Sequence, residues 1–338
     1  MRNLLRIGAV VLGVGILLVF VRFGPILFSL FSAATRVVGS IDLYGAEGLD
    51  AQAVRAKLPL KVGDFAPINT PKTHIAFEKA TGYSPIEVVS VCCNEQGRAM
   101  IFVGLGGHRP PSAPRPSESI RLAKPLLDLY DEFGPELRSA VRAHAPEEHS
   151  SGYALSAAPG LRSIQLRMRE AALAHTPELI SVLARSNDDP SRRAAAHLLG
   201  YAQHSQQQVD ALGKAAQDPD EGVRNNATRA LGVLIKAFPE TADQMNLDYF
   251  LGLIHSPVWT DRNKAAMVLE EVSKRPSAAK RIHEGALAPL VEMARWKAPH
   301  RMMAWIILGR IGGLNEEILA EKVKNGQGEQ IIAAATRP

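Results

Sequence analysis

Four nine-residue segments of one pattern recur in the second half of the chain, and they constrain the fold more than any other feature. They lie at residues 192–200, 224–232, 262–270 and 301–309, so successive segments are offset by 32, 38 and 39 residues. Each begins with Arg, has Ala at its fourth position and has Leu at its eighth. A self-similar period of roughly 20–50 residues is typical of stacked units that cannot bury their apolar faces alone.

The shared positions indicate a helix that packs closely against its neighbours. Ala at the fourth position lets two helices approach each other, and Leu at the eighth lies one turn further along the same face. We therefore expect two buried sets: Ala195, Ala227, Ala265 and Ala304, with Leu199, Leu231, Leu269 and Leu308. The leading arginines are predicted to be structural, through ion pairs or hydrogen bonds to loop carbonyls of the adjacent unit: Arg192, Arg224, Arg262 and Arg301.

The turns before these segments carry a second signal. One reads Asp218-Pro219 and leads into Val223-Arg224, and Asp189-Pro190 precedes another. A proline after a capping Asp begins a helix cleanly. The pattern resembles HEAT-like repeats, which implies a mainly α fold with a HEAT-like α-solenoid over residues 161–338. The second helices are then expected near 206–216, 246–254, 285–295 and 315–323, after a divergent first unit at 161–185.

The first 34 residues differ in kind from the rest. Arg2 and Arg6 precede an apolar run, and Ser32 and Ala34 suit the −3 and −1 positions of a cleavage site. These are the parts of a secretory signal peptide, and an uncleaved inner-membrane anchor over residues 4–31 is the alternative. Either interpretation makes a membrane the partner of this segment and places the remainder outside the cytoplasm, in a periplasm or secreted.

Residues 35–106 alternate strand and helix signals. The expected elements are a strand, two helices and two strands, at 37–44, 49–58, 71–80, 86–92 and 99–103. This β-α-α-β-β order, with Gly45 after the first strand and Leu60, Gly63 and Asp64 after the first helix, resembles a POTRA domain. The resemblance implies a small α/β module that docks an extended peptide at a sheet edge. A spacer, or a cap for the repeats, is the alternative.

The chain has two cysteines, and they are adjacent. Cys92 and Cys93 fall at the end of a predicted strand, where neighbouring side chains point to opposite faces of the sheet. A bond between them would strain such a backbone. We therefore predict two small apolar residues of a sheet and no stabilising disulfide.

The middle of the chain is predicted to connect the two bodies. Residues 107–117 hold four prolines, which exclude a helix or a central strand and favour an extended, semi-rigid linker. Residues 118–160 are predicted to form a helical connection, with Ser117 as the cap of one run and Pro135 at the start of another. A polar loop is expected around His144, Glu147, Glu148 and His149, whose spacing matches no zinc motif.

Motifs and charge restrict the function mainly by exclusion. The 39 basic and 34 acidic residues are interspersed, without the Lys/Arg block of a nucleic-acid arm. The sequence shows no Walker loop, nucleophile elbow or metalloprotease helix. We therefore predict a protein that is not an enzyme, with no catalytic residues, cofactor or metal. Its expected function is that of a protein-interaction scaffold for an unidentified protein partner.

Solenoids use extended concave surfaces for binding, and we expect the second helices to line that surface. Trp259, in an inter-helix loop, is the best exposed candidate, and Gln207, Asn226 and Arg229 are further candidates for partner contacts. The other large aromatic residues of this region are expected in the core: Tyr249, Trp296 and Trp305. Three alternatives remain: a spacer, a nucleic-acid binder with Arg192, Arg193, Arg224 and Arg229 in a basic groove, and, least favoured, an enzyme similar to HEAT-like pigment lyases.

Overall fold

The computed structural model describes residues 37–46, 48–66, 70–84 and 86–337. The predicted signal or anchor segment, residues 1–34, lies outside these ranges. Within them, no helix combines the length and the apolar character that crossing a bilayer requires.

The N-terminal module has the predicted order of elements. These are β1 (Val38–Tyr44), α1 (Ala51–Lys57), α2 (Pro71–Thr81), β2 (Glu87–Val91) and β3 (Ala99–Gly104). Strand β3 is central, parallel to β1 and antiparallel to β2. The Asp50 carboxylate caps α1 by accepting hydrogen bonds from two backbone N–H groups of its first turn. Gly82 ends α2 with a φ of 81°, a left-handed conformation that costs glycine little.

The two faces of this sheet belong to different cores. Ile101 and Val103 of β3 pack with Val54 of α1 and Phe77 of α2. Met100 and Phe102 point the other way because side chains alternate along a strand, and both belong to the core of the helical body. The sheet therefore lies between its own two helices and the solenoid.

Within the described residues, the helical body has an entry region and five units. The entry region consists of α3 (Lys124–Arg142) and a small hairpin, β4 (Glu147–Glu148) with β5 (Leu155–Ser156). Unit 1 is α4 (Pro159–Arg185), which bends at His175, two residues before Pro177. The other units are helix pairs: α5 (Asp189–Leu199) with α6 (Gln206–Ala215), α7 (Glu221–Ala237) with α8 (Leu247–Leu253), α9 (Trp259–Val272) with α10 (Pro276–Ala294), and α11 (Arg301–Ile311) with α12 (Glu316–Lys324). Helix α13 (Gly328–Ala335) follows unit 5.

The repeat pattern lies where the sequence predicts it, on the first helices α5, α7, α9 and α11. The four alanines of the fourth position and the four leucines of the eighth all have no exposed surface. Tyr249, Trp296 and Trp305 are also buried, as expected for core aromatics. The mainly α solenoid and its small α/β module are thus confirmed.

The leading arginines of the pattern share one geometry. Arg192, Arg224 and Arg262 are buried, and each donates to the carbonyl six residues earlier in the turn before its helix. Arg192 also makes two hydrogen bonds to Asp218 in unit 3, at 2.9 and 3.0 Å, so Asp218 serves this ion pair and Asp220 caps α7 instead. These contacts confirm the predicted structural role. Arg301 is half-buried and stacks over the Trp305 ring.

Two local predictions are wrong. Cys92 and Cys93 form a disulfide with each other. Strand β2 ends at Val91, so the pair lies in the connection to β3, where strand alternation does not apply. Ser117 caps no helix, and α3 begins at Lys124 as one helix with Pro135 inside it. The reason is Pro125, which lacks an N–H group and is tolerated in the first turn of a helix.

Candidate functional site

The proline-rich segment packs along the solenoid. Residues 107–119, which we name the strap, run from unit 3 back to unit 1, against the order of the units. Three backbone N–H groups of the strap donate to backbone carbonyls of the solenoid at 2.9, 2.7 and 3.0 Å, and the pairs are His108 with His255, Ala113 with Gln217 and Glu118 with Arg185. The strap therefore makes one such bond with each of three successive units.

The three acceptors lie at or just after the ends of α8, α6 and the second half of α4. We name the surface formed by these helices and α10 the second-helix face. Buried carbonyl groups in turns need a hydrogen-bond donor, and the C-terminal end of a helix carries a partial negative charge. The strap supplies N–H donors there from residues 108, 113 and 118, which are spaced five residues apart. Any extended chain with free N–H groups at this spacing can make the same contacts.

Side chains add selectivity to this backbone pairing. Pro110, Ala113 and Pro116 are half-buried while most of the strap is exposed. A spacing of three residues is the period of a polyproline II helix, so these side chains form one edge. Pro110 lies over Gly252 of α8, where an added Cβ would come within 3.2 Å of its Cγ. Arg115 pairs with Asp189 at 2.6 Å.

Three cavities open on the second-helix face, and strap residues line two of them. One of about 260 Å³ is bordered by prolines of the strap and by α4 and α6, including Leu183, Ala211 and Lys214. A second, of about 200 Å³, lies between α6 and α8 and is lined by Lys214 and Tyr249. A third, of about 470 Å³, lies where the strap leaves the module; Gly107, His255, Arg262 and Glu292 line it. The second-helix face thus has open volume next to a seated extended chain.

The module is fixed at one end of this face. The Asp42 carboxylate, fully buried, accepts hydrogen bonds from the backbone N–H groups of Lys297 at 2.7 Å and Ala298 at 2.9 Å. Burial raises the pKa of Asp42, and these two hydrogen bonds oppose the rise. The indole N–H of Trp296 donates to the Leu43 carbonyl at 2.9 Å. Because these bonds join β1 to the turn before α11, the module and units 4 and 5 form one packed body.

The structure places the predicted contact residues apart. Trp259 is 8% exposed, packed against Phe102 of the module and His300, so its predicted exposure is wrong. Asn226 is buried and donates to the Tyr130 hydroxyl at 3.0 Å. Arg229 is half-buried and pairs with Glu147 at 2.6 Å. Gln207 is exposed at the start of α6, on the second-helix face.

Three of these four residues lie on the first helices, where α3, the β4–β5 hairpin and the module cover them. Tyr130 and Phe133 of α3 pack around His197 of α5, whose burial lowers its pKa to about 3. The β4–β5 hairpin is held to α7 by Glu147. Burial raises the pKa of Glu147, but hydrogen bonds and charge from His149 and Arg229 lower it to about 2. In the described ranges, no three His, Cys, Asp or Glu side chains are grouped to hold a metal ion.

The residues of the solenoid that contact the strap or border its cavity were missed by the sequence predictions. Gly252 and Ala211 are small, and Asp189 was assigned only to the start of a helix. One signal was present: small residues on second helices near a proline-rich segment long enough to cross several units. This signal identifies particular contact residues only when the direction in which the strap crosses the units is known. The docking of the module sets that direction.

Comparisons with known proteins give one family match, within the helical body. A family model described as HEAT repeats matches residues 176–270. A search of curated proteins finds no match. A designed armadillo repeat protein is 14% identical, with a TM-score of 0.37, over 63% of this chain and 93% of its own. A designed armadillo repeat protein in complex with the peptide (KR)4 is 16% identical, with a TM-score of 0.36, over 62% and 97%. The complex of CpcE and CpcF of phycocyanin lyase from Nostoc sp. PCC7120 is 17% identical, with a TM-score of 0.24, over 67% and 100%. The HEAT match and the stacked helix pairs make this chain a helical-repeat protein.

Proposed function

We propose that the protein is an extracytoplasmic interaction scaffold that binds an extended segment of a partner protein on its second-helix face. The observation that carries the proposal is the seated strap, which donates one main-chain hydrogen bond to each of three successive units, at His255, Gln217 and Arg185. A surface that already holds an extended backbone, with open cavities beside it, is suited to peptide recognition. The basic start and apolar run of residues 1–34 support the extracytoplasmic location in this proposal.

The POTRA-like module offers a second place for an extended segment. The outer side of β1 is occupied, since Val38 bonds to Asp64, the Ile41 carbonyl accepts from Arg55 and the Leu43 carbonyl accepts from Trp296. Strand β2 is the opposite edge, and in the part of the chain that the structure describes no backbone hydrogen bond reaches its outer side. Main-chain pairing at this edge would give affinity through backbone groups.

In this proposal the protein acts by binding and not by catalysis, and its ligand is a protein. The four arginines that a nucleic-acid groove would need are each paired with a carboxylate, and the pairs are Arg192 with Asp218, Arg193 with Asp220, Arg224 with Asp261 and Arg229 with Glu147. Phosphate contacts depend on uncompensated cations and weaken steeply with salt. A groove that binds its partner through main-chain hydrogen bonds and apolar contacts is expected to retain that partner at high salt.

Site-specific photo-crosslinking in the cell envelope tests the function. A photoreactive residue replaces Lys214, which is exposed on α6 and borders two of the cavities. The matched control replaces Lys236, which is exposed at the end of α7, a first helix. We expect one protein crosslinked from position 214, retained after a high-salt wash, and none from position 236. A purely structural spacer predicts the same background from both positions, and that result would reject the scaffold.

A further inference from the structure

We propose that the strap is an intramolecular ligand of the second-helix face, and that the partner segment recognised in its place is an extended, proline-rich peptide with an arginine in register with Arg115. This inference rests on the proposed function, because it names the chemistry of the occupant of the same face. It also means that, in the absence of a partner, the strap itself occupies the second-helix face.

The backbone contacts set the first requirement for an occupant. The three carbonyl acceptors lie at or just after the ends of α8, α6 and α4, and the contact at Glu118 has the pattern of a parallel bridge with Ser186. They accept from N–H groups five residues apart in the strap, at 108, 113 and 118. Proline has no N–H group, and the four prolines of the strap avoid all three donor positions. An occupant of the face therefore needs residues other than proline at the three N–H donor positions, with its prolines between them.

The apolar edge sets the second requirement. Pro110, Ala113 and Pro116 face the solenoid with a spacing of three residues, which a polyproline II helix provides without internal hydrogen bonds. Gly252 leaves room for the Pro110 ring, and a side chain at that position would come into close contact with it. The face is thus shaped for a narrow, stiff segment, and prolines reduce the entropy lost on binding because the free peptide is already extended.

Charge sets the third requirement. The Asp189 carboxylate accepts from Arg115 of the strap at 2.6 Å and from the buried Arg192 at 2.8 Å. Arg192 fixes the position of this carboxylate, so Asp189 is oriented before an occupant arrives. The Arg115 side chain is 53% exposed, which keeps the pair weak and exchangeable. A partner arginine can take the same place without a change in the solenoid.

Tethering predicts how the wild-type protein behaves towards a free peptide. The strap is joined to the docked module at one end and to α3 at the other, so its effective concentration at the face is on the order of millimolar. A free peptide at micromolar concentration then cannot compete. Weakening the strap contacts should open the face, while the module stays docked through Asp42 and Trp296, which contact other residues.

The test measures fluorescence anisotropy of a labelled peptide with the sequence of residues 107–119, added to the full chain in detergent. One variant, which we name the released variant, combines Ala113→Asp with Arg115→Glu. It places two carboxylates of the strap beside Asp218 and Asp189, so that charge repulsion detaches the strap. A second variant, Gly107→Ala, displaces the start of the strap, since its Cβ would lie 2.2 Å from the His255 carbonyl oxygen. Thermal melts by circular dichroism show whether each variant is folded.

We expect the released variant to bind the peptide at least about tenfold more tightly than the wild-type chain. A peptide with Glu in place of Arg115, or with Ala in place of Pro110 and Pro116, should bind the released variant several-fold more weakly. No binding by either folded variant, or equal binding of all three peptides, overturns the proposal. Crosslinking from Lys214 uses no peptide, so a captured partner together with absent peptide binding refutes this inference and leaves the proposed function intact.

Discussion

The buried pair between units 3 and 4 allows a quantitative test of the repeat geometry. Arg224 and Asp261 are each about 1% exposed and share two hydrogen bonds of 2.9 and 3.1 Å. Arg224→Ala removes the cation and leaves the Asp261 carboxylate in the core with one remaining partner, the Ser256 hydroxyl at 2.8 Å. It also removes the donor to the carbonyls of Asp218 and Pro219. Breaking one side of a buried ion pair costs about 3–5 kcal/mol of unfolding free energy.

The control is Arg193→Ala in the neighbouring unit. Arg193 also makes two hydrogen bonds to an aspartate, Asp220, but its side chain is 44% exposed. A pair that is open to water contributes about 0–1 kcal/mol. The two substitutions thus remove similar hydrogen bonds from ion pairs that differ in solvent exposure.

Urea denaturation followed by far-UV circular dichroism measures both free energies, with the slope checked for changes in cooperativity. Replacing both Arg224 and Asp261 with Leu should recover most of the loss, because a well-packed apolar pair does not carry the desolvation cost of two charges. If Arg224→Ala loses no more than Arg193→Ala, the burial reasoning is refuted and Arg224 becomes a candidate for ligand contact.

Three further predictions follow from burial and docking. Leu231→Asp places a charge at a fully buried position, so we expect a loss of more than about 4 kcal/mol in urea denaturation; an unchanged midpoint would mean that the assigned register is wrong. His197→Phe tests the pH dependence: burial lowers the pKa of His197 from 6.5 to about 3, so the unfolded chain binds the proton first and stability falls as pH drops from 6.5 towards 3. The wild-type protein should therefore lose about 2 kcal/mol more than the variant between pH 7 and pH 5, and parallel profiles would contradict this. Asp42→Ala leaves the N–H groups of Lys297 and Ala298 without their acceptor, and limited proteolysis should then cut the strap faster than in the wild-type chain; equal rates would show that Asp42 does not hold the module.

The repeat body was predictable because its signals are local. Period, small residues and Asp-Pro turns act within one unit, so the sequence alone predicts that Ala227 and Leu231 lie in the core. The module was predictable for the same reason, since Asp50 and Gly82 delimit its helices through neighbouring backbone groups. The prediction of Arg224 as structural followed from its fixed place in the repeat.

The candidate site was not predictable because it depends on contacts between distant parts of the chain. Trp259 begins α9 next to an inter-helix turn, where side chains are commonly exposed, but the sheet of the module covers it through Phe102. Proline-rich segments carry no internal hydrogen bonds, so nothing in the strap shows which carbonyls it will meet. Asn226 and Arg229 have the right residue types for a binding face, but α3 and Glu147 occupy them.

The bond between Asp42 and the turn at Lys297 joins residues 255 positions apart, which has a consequence for synthesis. Repeat arrays can fold unit by unit as the chain emerges, and units 1 to 3 are made before units 4 and 5, which hold the module. The docking side of the sheet, around Met100 and Phe102, is made early, but its cover at Trp296 follows roughly 190 residues later, or about 10–40 s at ordinary elongation rates. For that time the N-terminal module carries a bare apolar surface, so a chaperone has more to protect on the module than on the last units.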